Sequence, residues 1–164
     1  CLVGSEMCIR DRTTALPLED KLIRMLKGKQ FIHCADAGLG SYNIRKFNSM
    51  GGRAFVITQS IKKLPDTLKE SVFNDCDYRL LSNDSPVSLK TMQEFDKNSN
   101  KRLYEDRVYK IIDASRDLEM EHYEEKILKN GKKKMVRAKG HLEQKLIITF
   151  SRKMMEYQLS LIHI

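Results

Sequence analysis

Apolar residues along this chain change rhythm as it proceeds. Leu16, Leu18, Leu22, Ile23, Met25 and Leu26 fall near helical spacing, and Gly28 follows as a stop. Phe31 to Ala35 reads as a buried strand. After Gly38 and Gly40, Ser41 stands where an N-cap is expected, and Ile44, Phe47 and Met50 share a helix face before Gly51 and Gly52 end it. Ala54-Phe55-Val56-Ile57 is the next strand. The pattern predicts strand, helix, strand, with the two strands parallel and neighbouring and helices covering the sheet.

Past Ser60 the pattern shortens. Leu64, Leu68 and Val72 recur at i, i+4, i+8 and predict a short helix over Pro65 to Phe73. Tyr78 to Leu81 is too brief to assign, and Ser88 to Phe95 is a second short helix after the Asn83-Asp84-Ser85-Pro86 turn. Arg107 to Ala114, His122 to Leu128, Lys132 to Ala138 and Lys145 to Phe150 read as strands, with Asn130-Gly131 as a hairpin signal. The predicted class is α/β, a strand-helix-strand layer followed by a mainly antiparallel β region with a helical preface.

Length and composition are compatible with this. The chain has 164 residues, 41% hydrophobic and 32% charged, enough for one ordinary domain with a real core. No apolar run approaches the roughly 18 to 20 residues that cross a bilayer, and no secretory signal pattern is present, so the expected compartment is the cytoplasm, without a membrane partner. Cys1, Cys8, Cys34 and Cys76 show no C-x-x-C spacing and no histidine at metal-ligand spacing, and are read as structural thiols.

Both ends stand apart. CLVGSEMCIRDR (1–12) and LSLIHI (159–164) have no period joining them to their neighbours. Both resemble peptides made when sequencing-adapter DNA is translated at the edges of assembled reads. Residues 13–158 are then the native part, an internal piece of a longer protein, divided into 13–64 and 65–158.

Net charge is +8, and its excess is concentrated: between Lys126 and Lys153 there are ten Lys or Arg against Glu143 alone, a local +9. Such a segment attracts a phosphate backbone, because each neutralised phosphate releases condensed counterions. A solvated hairpin carries the same charge, and composition does not choose between the two. Lys132, Lys133, Lys134, Arg137 and Lys139, beside and beyond the Asn130-Gly131 turn, are the DNA-binding candidates.

The candidate chemistry lies in FIHCADAGLGSYN (31–43), where Asp36 follows a strand and precedes two glycines. Ligand sites in open α/β sheets gather outside the carboxyl ends of strands. An aspartate there also caps turns well, which is the competing role. Gly38-Leu39-Gly40 is a poor start for a dinucleotide loop, since Asn43 occupies the last glycine position of that motif.

The strings Ala35-Asp36-Ala37-Gly38-Leu39, Ser41, Asn43, Phe47-Asn48, Gly51-Gly52 and Arg53 to Lys63 resemble the segment around the second catalytic aspartate of bacterial insertion-sequence DDE transposases. More narrowly, with Glu143 to Ser151 and Glu156-Tyr157-Gln158, they resemble the subgroup whose ribonuclease-H-like domain is interrupted by a β-rich insertion. The likeness covers essentially all of 13–158. It implies part of a ribonuclease-H-like core over 13–64 and an insertion over 65–158.

The resemblance also implies a chemistry. Two aspartates and a glutamate hold Mg²⁺ ions that activate water or a DNA 3′-hydroxyl for phosphodiester cleavage and strand transfer at insertion-sequence ends. Asp36 matches the second acid, as catalytic and metal-binding residue, with Gly38 and Asn43 supporting its loop. Partners are then DNA, as transposon ends and target, with a homodimer open to the intact protein. The other two acids have no counterpart: Glu19 and Asp20 sit near a helix start, and Glu143 and Glu156 are poor stand-ins for the final glutamate. The chain is expected to be inert alone. The alternative is a non-catalytic nucleic-acid-binding module using 126–153. His33 is expected to be a satisfied core histidine, Met50, Met92 and Met154 to be packing residues, and Lys62 and Lys63 either solvated or DNA-facing.

Overall fold

The computed structural model describes residues 16–25, 30–128 and 131–162, with the side chains of 161 and 162 excepted. The opening 1–12 segment, the Gly28 stop, Asn130 of the hairpin turn and the last two residues lie outside the described residues. In chain order the elements are helix α1 (16–25), strand β1 (Ile32–Ala35), helix α2 (Tyr42–Asn48), β2 (Ala54–Ile57), α3 (Asp66–Phe73), β3 (Arg79–Leu80), α4 (Leu89–Glu94), α5 (Lys101–Glu105), β4 (Val108–Asp113), β5 (Met120–Ile127), β6 (Lys133–Gly140), β7 (Lys145–Phe150) and α6 (Arg152–Ile162). Short 3-10 turns occupy Ala37–Leu39 and Ile61–Lys63. The architecture is mixed α/β, a small parallel pair with helices and then antiparallel sheets. Two compact units share the chain: one runs up to Pro65 and takes back Arg116–Leu142, and the other is Asp66–Ser115 with the chain from Glu143 onward.

In the first unit β1 and β2 pair in parallel, Ile32 against Ala54 through Ala35 against Ile57. Alternation decides their faces: His33, Ala35, Phe55 and Ile57 are half-buried, whereas Ile32, Cys34, Ala54 and Val56 point to solvent. These strands are therefore half-buried, not fully buried as their continuous apolar runs suggest, because no described element covers their second face. The link between α2 and β2 turns on Gly51 (φ 64°) and Gly52 (φ 74°), left-handed conformations suited to glycine. Helix α2 stops at Asn48, so Met50 lies beyond it and is exposed.

β5 and β6 form an antiparallel hairpin from Met120 against Gly140 to Ile127 against Lys133. His122, on the face toward α2, stacks on Tyr42 with ring centroids 4.0 Å apart. Gly140 faces the same tyrosine closely enough that a Cβ there would meet its ring at 2.8 Å.

The second unit is built on the antiparallel order β3-β4-β7. Its core is Tyr78, Leu80, Met92 and Val108, with Leu103, Ile148 and Phe150 packed against it. Lys110 is buried and donates to the carbonyls of Ser71 (2.9 Å) and Asn74 (3.2 Å) at the end of α3, where a cation meets the negative end of the helix dipole. Tyr104 donates to Glu156 Oε2 (2.6 Å) and Arg152 Nε to Glu156 Oε1 (3.0 Å), which ties α6 to α5.

Several sequence expectations change. The packed side of α1 presents Glu19, while Leu18, Leu22 and Met25 are exposed. Glu19 is buried with Asn48 Nδ2 donating to its Oε2 at 2.6 Å, while its Oε1, 3.0 Å from His33 Nδ1, has no hydrogen-bond partner among the described residues. His33 is not the satisfied core histidine expected: its Nε2 is buried without a hydrogen-bond partner among the described residues. Cys34 and Cys76 are free and exposed, so neither packs as a structural thiol. Met92 is a core residue, but Met154, like Met50, is exposed. Helices α5 and α6 were not foreseen, and α6 continues across the 158/159 boundary.

Candidate functional site at the end of the first strand

Asp36 is the first residue after β1 and the N-cap of the Ala37–Leu39 turn. Its Oδ1 accepts from Gly38 N–H at 2.9 Å and from Leu39 N–H at 3.2 Å, while its Oδ2 has no protein partner among the described residues. The residue is exposed. Gly38 serves this geometry directly, since a Cβ there would sit 3.0 Å from Asp36 Oδ1. The turn-capping role is filled by one oxygen, and the other has no protein partner among the described residues.

The loop is braced from beneath. Gly40 lies so close to β2 that an added Cβ would be 2.7 Å from Ile57 Cγ2. Arg45, buried on α2, donates from Nε to the Gly40 carbonyl (3.1 Å) and from Nη2 to Gln59 Oε1 (2.8 Å). Burial lowers the Arg45 pKa from its ordinary value, the direction set by loss of water around a cation. Arg45 thus ties the β1–α2 loop to the exit of β2, a role that its position in the sequence does not signal.

Asn43 is exposed in the first turn of α2 and makes no side-chain hydrogen bond among the described residues, so it neither caps the helix nor holds the Asp36 loop. Lys62 and Lys63 are exposed on the Ile61–Lys63 turn. Glu156 has both oxygens engaged by Tyr104 and Arg152, an anchoring role. Among the described residues no group of three or more His, Cys, Asp or Glu could hold a metal ion. A single carboxylate such as Asp36 does not by itself make a two-Mg²⁺ site.

The basic segment divides between the units, 126–142 in the first and 143–153 in the second. Within the hairpin, register sets bases against acids. Lys133 pairs with Glu125 at 3.1 Å, Lys139 with Glu119 at 2.6 Å, and Arg137 with Glu121. The hydrogen bonds that Arg137 donates to Glu121 and Lys139 donates to Glu119 raise the pKa values of the two bases. Lys134 faces Lys126 across the strands, and the Lys132 carbonyl accepts from Leu128 N–H at 2.9 Å near the turn. The linear excess of positive charge is thus partly met by acids that precede it, on β5 and just before it.

Comparison with known protein families, curated proteins and solved structures finds no match for the chain.

Proposed function

We propose that this chain is part of a DNA transposase of the DDE type, with Asp36 as one carboxylate of its catalytic set and the other two acids outside residues 13–158. The observation that carries the reading is Asp36 at the carboxyl end of a strand in a parallel pair, with Oδ1 held by two backbone N–H groups and Oδ2 open. Mg²⁺ in such a protein supplies charge neutralisation at the scissile phosphodiester. By itself the chain is inert in cleavage, since one ligand does not assemble the metal site.

The test separates capping from metal binding within one residue. Asp36→Asn keeps an oxygen that accepts from Gly38 and Leu39 but removes the charge. In the protein carrying the complete reading frame, Asp36→Asn and Asp36→Ala both lose Mg²⁺-dependent cleavage at insertion-sequence ends, with DNA binding retained. Cleavage by Asp36→Asn at the parent rate would assign the carboxylate to capping alone.

The second reading, a non-catalytic nucleic-acid-binding module, is favoured by the two capping bonds of Asp36. Recovery of the flanking coding sequence decides between the two: an aspartate on an upstream strand and a glutamate on a downstream basic helix belong to the first.

A further inference from the structure

The faces of the β5–β6 hairpin handle charge differently. On one face, Lys133 and Arg137 are matched with Glu125 and Glu121, and Lys139 with Glu119. On the other, the face that carries His122 and Gly140 against Tyr42, the register sets Lys126 directly opposite Lys134. Like charges opposed across an antiparallel pair destabilise the hairpin, their Cβ atoms being about 4.5–5.5 Å apart. Neither lysine has an ion-pair partner among the described residues.

We propose that Lys126 and Lys134, together with Lys46 of α2, form a contact strip for the phosphate backbone of duplex DNA, distinct from the ion-paired face of the hairpin. The choice of DNA rests on the function proposed above; the location rests on the hairpin. Lys46 belongs to the strip because α2 lies against this face, and its ammonium group is 5.6 Å from the centre of the Tyr42 ring that stacks on His122. Within β5 and β6 the one carboxylate facing the same side is Glu124, which is bonded to His122 Nε2 at 2.9 Å. Glu124 is held below the ordinary carboxylate value first by that hydrogen bond and then by the fields of His122, Lys126 and Lys46. Three lysines against one occupied carboxylate leave positive charge that the hairpin does not neutralise, and a phosphate relieves the Lys126–Lys134 repulsion as it binds. On the other face, each base must first give up a carboxylate.

The experiment compares two variants of equal formal charge in the 164-residue chain: Lys126→Gln with Lys134→Gln, and Lys133→Gln with Lys139→Gln. Binding of duplex DNA of unrelated sequences is titrated from low to moderate salt. The strip variant lowers the salt slope by about 1.8, roughly 0.9 for each lost contact, and weakens binding by roughly ten- to a hundredfold near 0.1 M salt. Adding Lys46→Gln lowers the slope by about 0.9 more. The variant on the ion-paired face keeps the parent slope. Lys126→Arg with Lys134→Arg keeps both slope and affinity, and the strip Gln variant melts no lower than the parent because it removes a repulsion. An equal or larger slope loss on the ion-paired face, loss of binding in the Arg variant, no measurable binding of duplex DNA by the parent, or tighter binding to single-stranded RNA or anionic phosphatidylserine vesicles would each overturn the assignment. The readout is binding, so the fate of the Asp36 cleavage test leaves this result standing, and the reverse.

Discussion

Asp36 works through a small set of contacts that single substitutions can separate. Gly40 has φ −88° and ψ 34°, so its need for glycine is steric rather than conformational, set by Ile57 Cγ2 at 2.7 Å from an added Cβ. Gly40→Ala therefore destabilises the first unit by about 1–3 kcal/mol, read from denaturant unfolding, and parent stability in that variant would refute the close approach. A titrating counterpart lies in the second unit. Asp75 is held below the ordinary carboxylate value chiefly by the hydrogen bond from Ser88 Oγ at 2.6 Å, with further help from the backbone N–H groups of Leu89 and Lys90. Its folded value is below its unfolded one, so its stabilising contribution is present above the unfolded value and is lost as pH falls through the folded value. Asp75→Asn is accordingly less stable than the parent at neutral pH, and the difference narrows on acidification; a constant difference across the acid range would remove this role. Asp36 was legible in the sequence because an acid between an apolar run and two glycines marks a strand end. Arg45 and Glu19 were not, because burial of a charge depends on distant partners: Glu19 meets Asn48, 29 residues away, and Arg45 meets Gln59.

Elements were legible where period and punctuation agreed. Ala54–Ile57 and Lys145–Phe150 stand where the apolar pattern put them, and Leu64, Leu68 and Val72 are all buried. Helix α5 is five residues long, too short for a period, and its Asn100 cap becomes clear from the bond it accepts from Leu103 N–H at 3.2 Å. Helix α6 escaped because its Met154 and Tyr157 are exposed while polar side chains, Arg152 and Glu156, make its anchoring bonds. The hairpin was legible as two strands, but its docking on α2 was not, since it depends on Tyr42 meeting His122 across 80 residues of sequence. Gly140 tests that docking. A methyl group there meets the Tyr42 ring at 2.8 Å, so Gly140→Ala costs about 1–3 kcal/mol and speeds amide hydrogen exchange along β5 and β6. Unchanged exchange in the hairpin would show that it does not lean on α2.

At the scale of the molecule, the parallel-to-antiparallel change of pattern was visible in the sequence, whereas the path of the chain between units was not. Arg116–Leu142 returns to the first unit not through strand pairing, since β5 and β6 pair with each other, but through His122 and Gly140 meeting Tyr42 of α2. The point of departure is well defined: Asp113 pairs with Lys145, Ala114 N–H donates to the Gln144 carbonyl at 3.1 Å, and Gln144 N–H donates to Ser115 Oγ at 3.0 Å. The ends of the excursion are therefore held side by side by β4 and β7, and a tight hairpin turn can close the gap. Removing Arg116–Leu142 and joining Ser115 to Glu143 through Asn-Gly leaves the core of Tyr78, Leu80, Met92 and Val108 intact, since none of these residues lies in the excised segment. Amide protection along Val108–Asp113 should persist in the shortened chain. Stopping the chain at Leu142 instead removes β7, exposes the edge of β4 and strips Ile148 and Phe150 from the core, so protection in β4 is lost. Loss of protection in the excised chain as well would show that the second unit depends on the hairpin for its fold.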